Sequence, residues 1–166
     1  MSRVDYCNTV LAGSPQYITD TLQRVLNAAA RFVSGTRKFN QGLSRLLHDE
    51  LHWLSVPERV QYKLAVTVHR CLQNKALRYL VDCCIPVSYV ASRQHLRSAS
   101  RHLLGVPRFR RNTFGRRAFS VGGPMAWNSL PDSLRDPSHC SSSFRRNLKT
   151  VLFTRYWCTE RIKDAS

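Results

Sequence analysis

Apolar residues recur every three or four positions between residues 18 and 33, which is the spacing of one face of an α-helix. Ser14 and Pro15 are typical of a helix start, and Gly35 is typical of a helix end. Charged and amide side chains occupy the opposite face, so the pattern predicts an amphipathic helix of about five turns that packs one side on a core. Its apolar stripe consists of Ile18, Leu22, Val25, Leu26, Ala29, Phe32 and Val33.

Similar patterns predict two further long helices. Ser55 and Glu58 have the spacing of a capping box, and the helix that follows has the apolar stripe Val60, Leu64, Val68, Cys71 and Leu72. A last helix begins in the serine run 141–143. Its inward residues are Phe144, Leu148, Val151 and Leu152, and its outward residues are Arg145, Arg146, Lys149 and Arg155. Shorter helical pieces are expected at 43–54 and at 75–82.

The segment 83–131 is different, because it contains eight arginines and no Asp or Glu, together with several Gly and Pro residues. These breakers predict loops, with room for one small β-hairpin that pairs residues 102–106 with 117–121. Pro124 is expected to open a short helix over residues 125–128. The predicted fold class is therefore mainly α: a helical bundle with a basic, loop-rich segment. The expected division is a helical lobe at 1–82, a basic linker at 83–112 and a small C-terminal lobe at 113–166.

Charge and composition narrow the classes of protein. Lys and Arg outnumber Asp and Glu by 26 to 10, a net charge of +16, while 43% of the residues are apolar. A polyanion, nucleic acid first, is the expected partner, and the apolar content is enough for a folded core. No uncharged stretch approaches the ~20 residues of a membrane helix, and no secretory signal is evident. We expect an intracellular protein, nuclear or cytoplasmic, whose six scattered cysteines act as small apolar residues rather than as a disulfide framework.

The sequence offers little for catalysis. It contains no phosphate-binding glycine loop, no nucleophile elbow and no acidic pair flanked by strand-like sequence that would hold two magnesium ions. His48 and His52 have the spacing of ligands on one helix face, but no further ligands stand at a recognisable distance. The expectation is therefore no catalytic residue, no bound metal, no cofactor and no small-molecule ligand.

The basic segment is the better candidate for function. Between residues 106 and 119, five arginines alternate with phenylalanines, which combines phosphate-binding guanidinium groups with rings that can stack on bases. The alternative is that the rings belong to the core and the arginines form a solvated rim. The predicted nucleic-acid-binding residues are Arg93, Arg97, Arg101, Arg108, Arg110, Arg111, Arg116, Arg117, Arg145, Arg146 and Lys149, and the predicted stacking residues are Phe109 and Phe114.

Four stretches together resemble the C-terminal region of reverse transcriptases from non-LTR retrotransposons, the LINE-type elements of the jockey and chicken-repeat branch. They are Asp5–Gly13, Leu22–Arg31, Leu51–Arg59 and Gly115–Pro131, the last ending in Ala126-Trp-Asn-Ser-Leu-Pro131. The resemblance runs from about Arg3 to Trp157. The chain departs from the family at two places. Family members commonly carry an acid near Arg116, and none stands there in this chain. They commonly carry alanines near Gly122-Gly123, and the glycines put local helix or strand structure in doubt.

The resemblance implies a thumb and post-thumb region that grips template RNA and target or product DNA. In such elements the catalytic palm lies upstream, and nothing in this chain corresponds to it. The chain is therefore expected to be a non-catalytic fragment of an RNA-directed DNA polymerase that binds RNA or DNA largely without sequence preference. The alternative is a protein-interaction module, or a non-functional remnant, that once docked on the reverse transcriptase core.

Overall fold

The computed structural model describes residues 8–36, 43, 46–89, 101–108 and 115–164. The described residues are mainly helical, which confirms the predicted fold class. Short helical turns lie at Asn8–Leu11, Leu46–Glu50, Val87–Tyr89, Gly115–Arg117 and Asp132–Leu134. The α-helices are α1 (Gln16–Ser34), α2 (Val56–Leu72), α3 (Arg78–Val81), α4 (Phe119–Asn128) and α5 (Ser141–Asp164).

The long helices begin and end close to where their signals lie. Pro15 is the N-cap of α1 rather than its first residue, and Gly35 ends the helix in the left-handed conformation at φ 66°. Ser55 caps α2, where its backbone N–H donates to the Glu58 carboxylate at 2.9 Å. Helix α5 begins in the predicted serine run, at Ser141. The predicted short helix near residue 75 is present only as the single turn of α3.

The predicted hairpin is wrong, because its second half belongs to a helix. Residues 119–121 lie in α4, and the only β-bridge of the described residues joins Leu104 to Pro86. Pro124 does not open a helix but lies inside α4. It lacks the N–H that would bond one turn back, so packing must hold α4 together at this point. Gly123 permits that packing: a Cβ there would lie only 3.1–3.2 Å from Phe119 and Val68.

The largest core lies between α2, α4 and α5. The His69 ring of α2 stacks on Phe144 of α5 at 4.1 Å between ring centroids, and Phe144 lies 5.9 Å from Trp127 of α4. All three side chains are fully buried. The same core includes Leu104, so it contains residues from each of the three segments predicted from composition. The domain boundaries themselves stay a prediction.

The Trp127-Asn128 pair attaches the described basic segment, residues 101–108, to this core. The Trp127 indole N–H donates to the His102 carbonyl at 2.9 Å. The Asn128 side chain accepts from the Leu104 N–H at 2.9 Å and donates to the Leu104 carbonyl at 2.8 Å. One amide side chain therefore pairs both backbone groups of a buried leucine, as a neighbouring strand would.

The described cysteines behave as core or surface thiols. Cys71 and Cys84 are buried, and Cys71, Cys83, Cys84 and Cys140 are all free of disulfides. A hydrogen bond with Cys71, together with burial, raises the pKa of the Cys84 thiol, so Cys84 stays protonated. Cys71 and Cys84 fit the prediction of small apolar side chains, whereas Cys140 is exposed.

Candidate nucleic-acid interface

Helix α5 separates its charges from its apolar residues. Phe144, Leu148 and Leu152 are buried against α2 and α4. Arg145, Arg146 and Lys149 are exposed on the other side, as predicted. We call these three residues the α5 cationic strip. The Lys149 ammonium lies 5.6 Å from the centre of the Phe153 ring, a cation–π distance that holds the lysine stem along the helix.

Arg101 has an acidic partner, Asp132, that the acid-free segment did not suggest. Its guanidinium donates to both oxygens of Asp132 at 2.9–3.2 Å. Asp132 lies one residue beyond the acid-free segment. Arg135, whose side chain is 5% exposed, also contacts the Asp132 carboxylate and donates to the Asn128 carbonyl at 3.2 Å. Asp132 thus sits between two guanidinium groups, and Arg101 stabilises the fold as well as being a predicted phosphate ligand.

The remaining predicted residues fall into three groups. Arg108 is exposed, and Arg117 is half-buried in the turn 115–117. Arg116 lies in the same turn. The others lie outside the described residues: Arg93, Arg97, Phe109, Arg110, Arg111 and Phe114.

A second cationic feature was not predicted from the sequence. Lys149 also lines a cleft of about 190 Å³ with Arg59 and Lys63 of α2. Trp53 and Tyr62 form part of the same lining. The sequence places Trp53, Arg59, Tyr62 and Lys63 close together along the chain, but nothing in it brings Lys149 to them. No function was predicted for these four residues, and in the structure Trp53 and Tyr62 also contact the cores.

The described part of the chain also bears on metal binding and on membrane spanning. No group of three or more His, Cys, Asp or Glu side chains there has the arrangement of a metal site. None of the helices in that part combines the length and the apolar character of a membrane span.

No protein-family model, curated protein or solved structure matches this chain.

Proposed function

We propose that this chain is a non-catalytic nucleic-acid-binding region that contacts RNA or DNA through phosphates and with little sequence preference. We also propose that it derives from the C-terminal part of a LINE-type reverse transcriptase. The observation that carries the binding proposal is the α5 cationic strip, whose three charges are exposed on a helix anchored in the largest core. The net charge of +16 supports a polyanionic partner.

The spacing of the strip supports phosphate binding. At about 1.5 Å of rise per residue, Arg145 and Lys149 are separated by about 6 Å along the helix axis. One strand of B-DNA carries a phosphate about every 3.4 Å along its axis. The strip therefore spans about two phosphate steps of one strand, enough for its three cations to contact successive phosphates. The arginine guanidinium groups add the forked geometry that suits phosphate oxygens.

Salt dependence tests this function directly. We expect labelled RNA and DNA of unrelated sequences to bind with similar affinity in fluorescence anisotropy. The logarithm of the binding constant should fall with the logarithm of salt by roughly 0.7 to 0.9 per phosphate contacted. Absence of binding at low salt, or binding indifferent to salt, would contradict the proposal.

A charge-matched pair of variants locates the interface. The double variant Arg145→Gln/Arg146→Gln should reduce the salt slope by about 1.4 to 1.8, since two phosphate contacts are lost. The control Arg24→Gln/Arg78→Gln removes two exposed arginines from α1 and α3 and lowers the net charge equally. If both variants weaken binding alike, the charge acts diffusely and α5 is not the interface.

A second candidate function is supported by α1. Val25 is 52% exposed, Val33 62% and Phe32 90%. A face of this kind is typical of a surface that contacts another protein, such as the polymerase core from which the fragment would derive. This alternative predicts binding of a hydrophobic dye that Phe32→Ser reduces, together with nucleic-acid binding that the α5 variant leaves unchanged.

A further inference from the structure

The cleft between α2 and α5 combines two chemistries that occur together in nucleotide-binding sites. Arg59, Lys63 and Lys149 supply three positive charges at its wall. Trp53 and Tyr62 supply two aromatic rings. None of the described residues that line it is an acid. The lining thus favours a ligand that has a flat ring and a negative charge.

We propose that this cleft holds one unpaired nucleobase of a single-stranded RNA or DNA, with the adjoining phosphates on Arg59, Lys63 and Lys149. This inference rests on the proposed nucleic-acid binding and assigns it a specific subsite. The cleft would thereby distinguish a single strand from a duplex, whose bases are already stacked and paired.

The size of the cleft limits what it can take. At about 190 Å³ it is smaller than the ~300–1,000 Å³ of sites that enclose a whole small ligand. A single planar ring is the appropriate guest, and the sugar and phosphates remain at the rim. The cations are suited to that rim because their charged ends can stay in water while their stems line the wall.

The local structure holds the stacking groups in place. His52 has φ 50°, and this left-handed turn directs the chain back so that the Trp53 N–H bonds to the Leu47 carbonyl at 2.7 Å. The Arg59 guanidinium lies 5.8 Å from the centre of the Trp53 ring, and its Nε donates to the Leu54 carbonyl at 2.9 Å. Aromatic rings and guanidinium planes are both surfaces on which unstacked bases pack. A pre-positioned pair of such planes lowers the entropic cost of binding.

The cleft is continuous with the proposed phosphate-binding surface. Lys149 belongs to both, and Arg145 and Arg146 lie about one helical turn before it. A strand that follows the α5 cationic strip can therefore bring its next base to the mouth of the cleft. The arrangement is the stacking platform beside an electrostatic groove that single-strand binding requires.

The first experiment uses the native chain and needs no variant. Binding of an oligothymidylate of about ten nucleotides is compared with that of an abasic chain of the same length and charge. We expect the base-containing strand to bind about 5- to 100-fold more tightly, because stacking is lost in the abasic chain. Equal affinities overturn the cleft proposal.

Variants then assign the preference to the cleft. Trp53→Leu should bring the ratio of the two affinities close to 1, while the salt slope is kept. The matched control Phe32→Leu removes an exposed ring from α1 and should leave the ratio unchanged. Lys63→Gln should lower the salt slope on single strands by about 0.7, whereas Arg24→Gln should not. A base preference that survives Trp53→Leu overturns the proposal.

Folding and ligand source are controlled separately. Circular dichroism and the retained salt slope report whether Trp53→Leu folds. Because the chain has three tryptophans, the part of the strand-induced fluorescence quenching that Trp53→Leu removes gives a second measure of stacking on Trp53. Thymidine monophosphate tests whether the cleft binds free nucleotides instead. If it displaces the labelled oligomer at the same concentration as unlabelled oligomer does, the cleft is a site for free nucleotides and the strand assignment is overturned.

The two proposals fail in different ways. Binding of the oligothymidylate and the abasic chain with equal affinity and a normal salt slope refutes the cleft alone. Binding of neither strand at low salt refutes the proposed function and the cleft together.

Discussion

Helices α1 and α5 are both long and amphipathic, but they use their apolar stripes differently. In α5, Phe144, Leu148 and Leu152 are completely or almost completely buried. In α1, Leu26 and Ala30 are buried, whereas Val25, Phe32 and Val33 are largely exposed. The periodicity of the sequence was equally clear in both helices.

The difference shows that periodicity predicts which face of a helix is apolar but not whether another element covers it. Helix α5 crosses a core that α2 and α4 already form, so its stripe meets Trp127, His69 and their neighbours. Helix α1 packs on a smaller cluster with Leu47 and Val56, which covers only one side of its stripe.

The sharpest test truncates one phenylalanine in each helix. Phe144→Ala should lower the free energy of unfolding by about 3–5 kcal/mol, because it leaves a cavity beside His69 and Trp127. Phe32→Ala, at a side chain that is 90% exposed, should change it by no more than about 0.5 kcal/mol. Urea unfolding of both variants measures the difference. Similar losses would show that α1 is covered as fully as α5.

The ion pairs before α5 should contribute less. Asp132→Ala should cost about 1–3 kcal/mol, because the buried Arg135 then loses its carboxylate partner. Arg101→Ala removes the exposed partner of the same carboxylate and should cost about 1 kcal/mol or less. Thermal unfolding gives the comparison. A larger effect of Arg101→Ala would indicate that Arg101, not Arg135, depends on Asp132.

The end of α1 provides a smaller test on the less covered helix. Gly35→Ala should destabilise by about 1 kcal/mol, since the left-handed conformation at φ 66° is strained for a residue with a Cβ. The Cβ itself would meet nothing within 4 Å, so the cost is conformational and not steric. Gly35→Asn should cost less than Gly35→Ala, because Asn tolerates this conformation. Urea unfolding measures both, and equal losses would contradict a conformational cause.

The last and smallest expected change is a dependence on pH in the core that α5 covers. Burial lowers the pKa of His69 below its ordinary value of 6.5, so the folded protein keeps the ring neutral where the unfolded chain takes up a proton. Stability is therefore complete above about pH 7 and decreases as the pH falls through the unfolded value. His69→Phe keeps a ring beside Phe144 and should flatten this decrease, measured as unfolding free energies at about pH 8 and about pH 5.5. An unchanged pH profile would show that other groups cause it.

Much of the fold followed from local signals, and the failures have physical causes. The capping box at Ser55 and the apolar stripe of α5 predicted their helices correctly, because each signal consists of residues that are neighbours along the chain. The prediction of a hairpin was wrong because Gly122, Gly123 and Pro124 locally indicate a loop rather than the helix α4 that they form. In the structure the small Gly123 lets α4 approach Val68, and that tertiary contact outweighs the local preference.

The candidate site was predicted only where it lies on one helix. Arg145, Arg146 and Lys149 follow from the periodicity of α5 alone. The cleft joins Trp53, Lys63 and Lys149 from distant parts of the chain, which no local pattern indicates. The pairing of Arg101 with Asp132 was not predicted either, because the two residues are distant along the chain. Asp132 also lies just outside the acid-free segment 83–131.

The attachment of residues 101–108 through Asn128 has a consequence for how this protein can change by mutation. The Asn128 side chain bonds to the main chain of Leu104, whose N–H and carbonyl every residue type but proline could supply in full. At position 104 only the side chain is constrained to be apolar, because Leu104 is 2% exposed. Arg108 is exposed and takes no part in these bonds, so its charge is expected to be free to change without the loop detaching from the core. Arg101 is constrained more, because its guanidinium also ties the segment to Asp132.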